Sequence, residues 1–350
     1  MEFKTILTYW YSANKRRLPW RATKNPYHIW LSEIIMQQTQ IKQGLPYYEA
    51  FIKQFPTVHD LANASEERVL KLWQGLGYYS RARNLHSSAK YIANVLKGVF
   101  PNSYSEIIKL KGVGDYTASA IASICFGEPT AVVDGNVYRV LSRYFGIATP
   151  INTSKGVKEF KALATQLIDI ENPGDYNEAL MEFGATQCKP KNPYCLVCPF
   201  NDSCVALQKE LVNELPVKLN KTKVSKKHFN FLVILSGDGK TVFEKRDKKG
   251  IWQNLYQFPL IETETELTDG EFRNHAKVRD YFGTKRYDFS LYNKDSIVHK
   301  LSHQHLYTKF WIIQMKEIAD SGINISDVKN YPAPILIGNF IEEFDFNGMT

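Results

Sequence analysis

Apolar residues recur at helical spacing along most of the first two-thirds of the chain. Val137, Val140 and Leu141 are one example of this three-to-four-residue periodicity. Turns that contain proline or glycine, such as 112–114, separate one periodic stretch from the next. The pattern therefore predicts an all-helical N-terminal part whose helices are joined by short turns.

The C-terminal third has a different pattern, in which short apolar runs often alternate with polar residues. Such runs predict strands, and they cover 229–235, 242–245, 296–301 and 306–315. A lysine-rich stretch lies before them and is typical of an exposed linker. We therefore predict a mainly α N-terminal part over 1–207, a linker at 208–228 and a C-terminal α+β domain over 229–350.

Composition narrows the class of protein. The 350 residues carry a formal net charge of +8, which favours a polyanionic partner such as nucleic acid without requiring one. The 44% hydrophobic and 23% charged content is that of a globular protein. No apolar run approaches the roughly 20 residues that span a bilayer, and the N-terminal sequence has no export signal. We expect a cytoplasmic protein without a membrane partner.

Four of the five cysteines form a cluster with spacings of six, two and five residues: Cys188, Cys195, Cys198 and Cys204. Four thiolates suit either a tetrahedral zinc ion or a [4Fe–4S] cluster. A disulfide pair is a third interpretation, which a cytoplasmic setting disfavours. Ligand chemistry alone ranks zinc first. The fifth cysteine, Cys125, lies on an apolar helical stretch, and we expect it in the core.

A glycine-rich turn links two predicted helices at 104–109 and 115–126. Its glycines allow the backbone to approach a ligand and to point amides outward at a helix N-terminus, where an anion binds. The residues expected to bind a DNA phosphate are Gly112, Val113 and Gly114. An ordinary helix–helix turn is the alternative interpretation.

Two carboxylates lie in settings that predict different protonation states. Glu33 has Trp30 and Gln37 within one helical turn, so it should lose hydration and keep its proton as a general acid. A solvated helical glutamate is the alternative. Asp134 precedes an amphipathic helix and should cap it, which favours the ionised form. Sequence alone does not show that the two side chains meet.

These motifs resemble those of the MutY family of adenine DNA glycosylases, within the helix-hairpin-helix superfamily that includes endonuclease III. The matching segments are 18–21, 30–33, 37–40, 75–86, 112–118, 133–137, 177–185 and the cysteine loop. The resemblance implies a six-helix module over about 27–130 and an iron–sulfur module over about 1–26 and 131–207. It also implies that the cysteines hold one [4Fe–4S] cluster instead of zinc.

The resemblance further implies how the reaction is divided among side chains. Glu33 would protonate N7 of adenine, and Asp134 would stabilise or transiently bond the oxocarbenium sugar with help from Tyr116 and Asn136. The positions that match the family's adenine pocket are Arg16, Leu18, Trp20, Arg21 and Glu178. The positions that match its duplex wedge and contacts to 8-oxoguanine are Gln38, Thr39, Leu76 and Tyr78. The implied activity is hydrolytic removal of adenine opposite 8-oxoguanine or guanine, by a monomer bound to double-stranded DNA.

The C-terminal third resembles the Nudix-like domain with which this family recognises 8-oxoguanine. Ser302, in the segment from His299 to His303, aligns with the serine that reads the lesion, and Leu301 replaces the family's usual phenylalanine. The metal-binding helix motif of Nudix hydrolases is missing after Pro259. We therefore expect this domain to recognise a lesion and not to hydrolyse nucleotides.

Two other functions compete with this interpretation. An endonuclease III-like glycosylase/lyase would carry a catalytic lysine where this chain has Tyr116, and would not need an acid at position 33. A non-catalytic helix-hairpin-helix protein that binds DNA or transfers electrons would need neither Glu33 nor its setting.

Overall fold

The computed structural model describes residues 2–219, 224–318 and 322–346. Contacts within the chain divide it into two compact units. The first unit is Met1–Asn63 with Asn84–Asn220, and the second is Ala64–Arg83 with Lys221–Thr350. Across the described ranges, every helix is too short or too polar to cross a membrane.

The N-terminal part is helical, as predicted. Its α-helices are α1 (Phe3–Asn14), α2 (Pro26–Met36), α3 (Ile41–Gln54), α4 (Val58–Asn63), α5 (Glu66–Leu72), α6 (Ser80–Asn94), α7 (Tyr104–Ile107), α8 (Asp115–Phe126), α9 (Gly135–Phe145), α10 (Ser154–Leu167), α11 (Pro173–Thr186) and α12 (Val205–Gln208). A 3-10 turn at Pro19–Ala22 lies between α1 and α2. Of these helices, α5 belongs to the second unit, and α6 begins in the second unit and ends in the first.

The core of the first unit fixes the helices that carry the candidate site. Leu7 and Tyr11 of α1 pack with Val137 and Leu141 of α9, all of them 5% exposed or less. Phe183 of α11 joins the same cluster. The apolar periodicity read from the sequence of α9 therefore corresponds to a buried face, as predicted.

The second unit contains a mixed sheet with β1 (Ser225–Ser236) and β8 (Gln304–Met315) at its centre. These two strands are parallel and stay in register over their whole length, from Ser225 opposite Gln304 to Ser236 opposite Met315. The other strands are β2 (Lys240–Thr241), β3 (Glu244–Lys245), β4 (Tyr256–Gln257), β5 (Leu260–Thr263), β6 (Asp288–Leu291), β7 (Ile297–Lys300) and β9 (Ile323–Asn324). Two helices lie between β5 and β6, α13 (Asp269–Asn274) and α14 (Ala276–Phe282), and α15 (Ile335–Glu343) follows β9.

Aromatic side chains cover this sheet on both faces. Phe272 of α13 stacks on Trp311 of β8 at 3.9 Å between ring centroids. Phe340 of α15 stacks on Phe310, the adjacent β8 residue, at 4.1 Å. Adjacent residues of a strand point to opposite faces, so α13 and α15 pack on opposite sides of the sheet.

Three of the four predicted strands are confirmed, since 229–235, 296–301 and 306–315 coincide closely with β1, β7 and β8. The prediction of one strand at 242–245 is wrong. The chain leaves the large sheet after β2 and enters a separate two-stranded sheet at β3, which pairs with β4. Phe243, between them, is buried against the ring of Phe258.

The boundary between the two parts differs from the predicted one. β1 begins at Ser225, inside the segment predicted as a linker. Residues 220–223 of that segment lie outside the described residues. The segment 64–83, predicted within the six-helix module, groups with the second unit because its polar residues bond there. Glu67 accepts a hydrogen bond from the Tyr256 hydroxyl at 2.8 Å, for example.

Candidate active site

Glu33 lies on α2 and has an unusually basic carboxyl group. Burial raises its pKa to about 7, and the negative charges of Glu178 and Asp134 act in the same direction. A hydrogen bond from Tyr116 and the positive charge of Arg21 partly oppose the rise. A carboxyl group with this pKa can hold a proton near neutral pH and release it to a substrate.

Asp134 caps α9, as predicted. Its Oδ1 accepts hydrogen bonds from the backbone N–H groups of Asn136 and Val137 at 2.9 and 2.8 Å, and its Oδ2 accepts one from the Asn136 side chain at 2.7 Å. The pKa of Asp134 is raised overall, because burial outweighs the lowering effect of these hydrogen bonds and of the Arg139 guanidinium. All three N–H donors need lone pairs on the carboxylate, which favours the ionised form.

Asn136 is itself held in one orientation. Arg139 donates a hydrogen bond to the Asn136 side-chain oxygen at 2.8 Å, which leaves the amide nitrogen to face Asp134. A second N–H bond of the same Arg139 nitrogen reaches the Gly184 carbonyl on α11 at 2.6 Å. The amide that contacts the carboxylate is therefore fixed by two helices.

Tyr116 connects the two carboxylates. Burial raises its pKa well above the ordinary value, and the negative charges of Glu33 and Asp134 add to that shift. Its hydroxyl hydrogen-bonds to Glu33 and lies 3.4 Å from the sulfur of Met181. The structure thus brings Glu33, Tyr116 and Asp134, from three different helix regions, into one electrostatically coupled group.

A network of arginines and glutamates adjoins this group. Arg21 forms an ion pair with Glu178 at 3.4 Å and with Glu182 at 2.9 Å. Arg16 binds Glu182 through two guanidinium nitrogens at 2.6 and 2.7 Å. The Tyr11 hydroxyl donates to Glu178 at 3.0 Å. The predicted positions 16, 21 and 178 therefore lie together.

Glu182 is a central member of this network that the sequence analysis missed. Its side chain is 1% exposed. Burial alone would raise its pKa, but hydrogen bonds from Arg16 and Arg21 lower the pKa to about 2. The sequence feature that could have revealed Glu182 is its position four residues after Glu178 in α11, which places both carboxylates on one helix face.

The remaining predicted pocket residues lie at the 3-10 turn. Trp20 is 7% exposed and packs edge-on against Tyr48 at 5.1 Å, and Leu18 just before the turn is partly buried. Trp20, Arg21 and Glu178 line one cleft of about 180 Å³ beside the start of α11. Cys125, expected in the core, is only partly buried near the end of α8.

The glycine turn joins α7 to α8, although α7 ends at Ile107, two residues earlier than predicted. Gly112 has φ of +81°, and a Cβ there would lie 2.6 Å from Cβ of Asn84. Gly114 precedes α8, and a Cβ there would meet no protein atom within 4 Å among the described residues. Packing within the protein therefore accounts for the first glycine and not for the second.

Gln38 and Thr39 follow α2 in the first unit. Gln38 is exposed and has φ of +55°, a strained conformation for a residue other than glycine. The neighbouring Gln37 donates a hydrogen bond to Thr117 of α8 at 3.1 Å. The loop that presents Gln38 is thus tied to the helix that carries Tyr116.

The other predicted lesion contacts share a cleft in the second unit. Leu76, Tyr78 and Ser302 line the same cleft of about 540 Å³, together with Trp252 and His299. Tyr78 is 47% exposed and also has a positive φ, of 46°. Ser302 is exposed in the turn between β7 and β8. Ser302 and the segment that contains Leu76 and Tyr78, which are more than 200 residues apart in the sequence, therefore line one cavity.

The four clustered cysteines line one small cavity, whose walls include the rings of Phe183 and Phe200. Arg143 reaches this cavity, where its Nη1 lies 3.5 Å from the Cys188 sulfur. In the described ranges, no three or more His, Cys, Asp or Glu side chains are gathered closely enough to hold a metal ion. The four cysteines nevertheless line the same cavity.

Comparison with known proteins identifies the family to which both parts of the chain are similar. Residues 31–165 match the model of the HhH-GPD superfamily of base excision DNA repair proteins, and residues 230–343 match a NUDIX domain. An adenine DNA glycosylase of Buchnera aphidicola subsp. Baizongia pistaciae is 36% identical over 96% of this chain and 93% of its own. The human adenine DNA glycosylase is 44% identical over 59% of this chain and 40% of its own.

Solved structures show the same helical fold. A thermostable thymine-DNA glycosylase covers 59% of this chain and 95% of its own, with 30% identity and a TM-score of 0.55. A trapped endonuclease III–DNA covalent intermediate covers 59% of this chain and 95% of its own, with 23% identity and a TM-score of 0.52, which supports the fold alone. From the match across nearly its whole length, this chain belongs to the adenine DNA glycosylase family of base excision DNA repair enzymes.

Proposed function

We propose that this DNA N-glycosylase removes adenine opposite 8-oxoguanine or guanine by acid-assisted hydrolysis of the N-glycosidic bond. The observation that carries the proposal is the Glu33 carboxyl group, whose pKa of about 7 lets it act as an acid, coupled to Tyr116 and Asp134. We further propose that the protein acts as a monomer on DNA in the cytoplasm, associated with the nucleoid.

The chemistry needs both carboxyl groups. When the bond between C1′ and N9 breaks, its electron pair leaves with adenine, and protonation of N7 by Glu33 makes the base a better leaving group. The sugar is left with positive charge, which an ionised Asp134 stabilises, as one carboxylate does in glycosidases. Water then adds its hydroxyl to C1′ and gives up its proton to one of the two carboxylates, both of which are ionised at that stage. Tyr116 and Asn136 hold the two carboxyl groups in place.

The adenine must leave the base stack to reach these groups, at a cost of about a few kcal/mol. We propose that Arg16, Leu18, Trp20, Arg21 and Glu178 form its pocket. The cleft lined by Trp20, Arg21 and Glu178 supports this assignment, because the charges of Arg21 and Glu178 also act on Glu33. Glu182 serves the pocket indirectly by fixing both arginines.

The phosphate backbone and the opposite base have separate contacts. The amides of Gly112 and Gly114 would bind a phosphate at the start of α8, where Gly114 has open space before it. Val113 would contribute by shaping the turn, because its own amide donates to the Leu110 carbonyl at 3.1 Å. Gln38, Thr39, Leu76 and Tyr78 would wedge the duplex and contact 8-oxoguanine, and Ser302 would read the lesion. The shared cleft of the last three supports one binding site for the lesion.

The cysteine loop fits a [4Fe–4S] cluster by its donor set. Cys188, Cys195, Cys198 and Cys204 face one cavity with aromatic walls, and all four are free thiols. These four residues would hold the cluster, one thiolate on each iron. When bound, the cluster would cross-link residues 188–204, and it could also accept or donate an electron.

One assay tests the activity and separates it from its rivals. The protein is incubated with a duplex that contains a single adenine opposite 8-oxoguanine, and half of each sample is then treated with alkali. We expect cleavage of the adenine strand only after alkali. Cleavage without alkali would indicate a lyase, and an intact strand under both conditions would indicate a protein that binds DNA without catalysis. Either result would contradict the proposal.

A further inference from the structure

Lys161 on α10 makes a set of short polar contacts that no proposed catalytic role explains. Its ammonium group donates to both Asp115 carboxylate oxygens at 2.9 Å, to the Ser119 hydroxyl at 3.1 Å and to the Ala131 carbonyl at 2.7 Å. An ammonium group has three N–H donors. With three acceptor residues already bound, Lys161 has no N–H left for a DNA phosphate.

The acceptors of Lys161 belong to the two segments that the proposed function uses. Asp115 is the first residue of α8, directly after Gly114 and directly before Tyr116. Ala131 lies three residues before Asp134, in the extended segment that leads into α9. One side chain thus joins the phosphate-binding turn to the backbone that carries the catalytic aspartate.

The ion pair between Lys161 and Asp115 also reduces a charge repulsion at the phosphate-binding turn. Asp115 places a negative charge, 49% exposed, beside the turn where a phosphate is expected to bind. Like charges in such proximity would repel each other. Lys161 neutralises Asp115 at 2.9 Å, and the Tyr104 hydroxyl of α7 also donates to that carboxylate at 2.8 Å. The Asp115 carboxylate therefore links α7 to α8, the two helices of the hairpin.

We propose that Lys161 is a positioning residue of the glycosylase: it neutralises Asp115 so that a DNA phosphate can bind at Gly114, and it fixes the Ala131 carbonyl and thereby the approach to Asp134. This inference rests on the proposed function of the hairpin and of Asp134. It differs from an ordinary surface ion pair, which contributes little, because two of the acceptors are neutral groups of functional segments.

A charge-rescue experiment tests the proposal. The variants are Lys161→Met, Asp115→Asn and their double variant. The control is Lys158→Met, alone and combined with Asp115→Asn, which removes the same charge from an exposed position of α10. Affinity for duplex DNA is measured by fluorescence anisotropy at several salt concentrations. The rate of adenine release is measured with enzyme in excess over DNA. Thermal unfolding of each variant checks that the fold is retained.

We expect Lys161→Met to weaken DNA binding by about fivefold to tenfold, the scale of one uncompensated charge. Asp115→Asn should restore affinity in the Lys161→Met background, because it removes the repelling carboxylate, and should not restore it in Lys158→Met. The rate of adenine release should stay reduced in the double variant, since the Ala131 carbonyl still lacks its donor.

Two results would overturn the role of Lys161. One is unchanged affinity and rate in Lys161→Met, and the other is a double variant that binds DNA as weakly as the single variant. A wild-type protein that releases no adenine would instead contradict the proposed function. In that case the affinity measurements would still decide whether Lys161 compensates Asp115.

Discussion

Glu33 shows at the level of one residue how a functional requirement opposes stability. Its pKa rises from 4.5 to about 7, so the folded protein binds this proton more tightly than the unfolded chain does. Stability is therefore lost as the pH rises from about 4.5 to 7, and the full penalty applies above that range. An acid that is useful near neutral pH is thus a destabilising one.

Glu33→Gln should relieve this penalty while keeping the side chain's shape. We expect the free energy of unfolding to rise by about 1–3 kcal/mol at pH 8, with little change at pH 4, where both forms are neutral. Denaturant unfolding at the two pH values measures this difference. An equal effect at both would show that the Glu33 proton is not responsible.

Ser302 tests lesion recognition, also at the level of one residue. Ser302→Ala should reduce the preference for 8-oxoguanine over guanine opposite adenine by roughly 1 kcal/mol, the scale of one hydrogen bond. The measurement is the ratio of adenine-release rates for the two duplexes. An unchanged ratio would mean that Leu301, in place of the usual phenylalanine, accompanies a rearranged turn.

At the level of elements, the helical hairpin depends on two glycines for different reasons. Gly112 has a positive φ and no room for a Cβ beside Asn84. Gly112→Ala should therefore destabilise the protein by about 1–3 kcal/mol. Gly114 has an ordinary φ of −103° and open space in front of it.

Gly114→Ala should leave stability nearly unchanged and weaken DNA binding by about fivefold to tenfold, because a methyl group would keep a phosphate from the backbone amides. Thermal unfolding and DNA affinity, measured for both glycine variants, check this contrast. Loss of stability without loss of affinity in Gly114→Ala would contradict the assignment of the phosphate site.

Local signals in the sequence were enough to predict many of these elements. The capping role of Asp134 followed from an aspartate before an amphipathic helix, and β1 and β8 followed from their apolar runs. The interruption at Val242 was not predictable, because strand propensity does not tell which sheet a residue joins. Glu182 was missed for a similar reason, since its arginine partners are distant in the sequence.

At the level of the whole molecule, the two units divide the proposed work. The first carries the coupled carboxyl groups and the hairpin, and the second carries the cleft with Leu76, Tyr78 and Ser302. Helical periodicity correctly indicates that α5 is a helix, but it does not reveal which distant segment its polar residues will bond. The grouping of 64–83 with the C-terminal residues therefore needed the structure.

The proposed [4Fe–4S] cluster would also act at the level of the whole molecule. It would hold together residues 188–204, of which Cys188 and Cys198 pack against the core that includes α9 and α11. We expect the purified protein to contain the iron and sulfide of one [4Fe–4S] cluster per chain, and Cys198→Ala to lose that iron. Elemental analysis measures both. Zinc in place of iron would contradict the cofactor and support the alternative ligand chemistry.

The pH dependence of adenine release in a single turnover tests the central claim most directly. If Glu33 delivers the proton, the wild-type rate should fall as pH rises through about 7, by about tenfold per unit above it. Glu33→Gln should bind the lesion duplex with near wild-type affinity and release almost no adenine at any pH. A rate that stays constant between pH 7 and 9, or a Glu33→Gln variant with near wild-type turnover, would contradict the account.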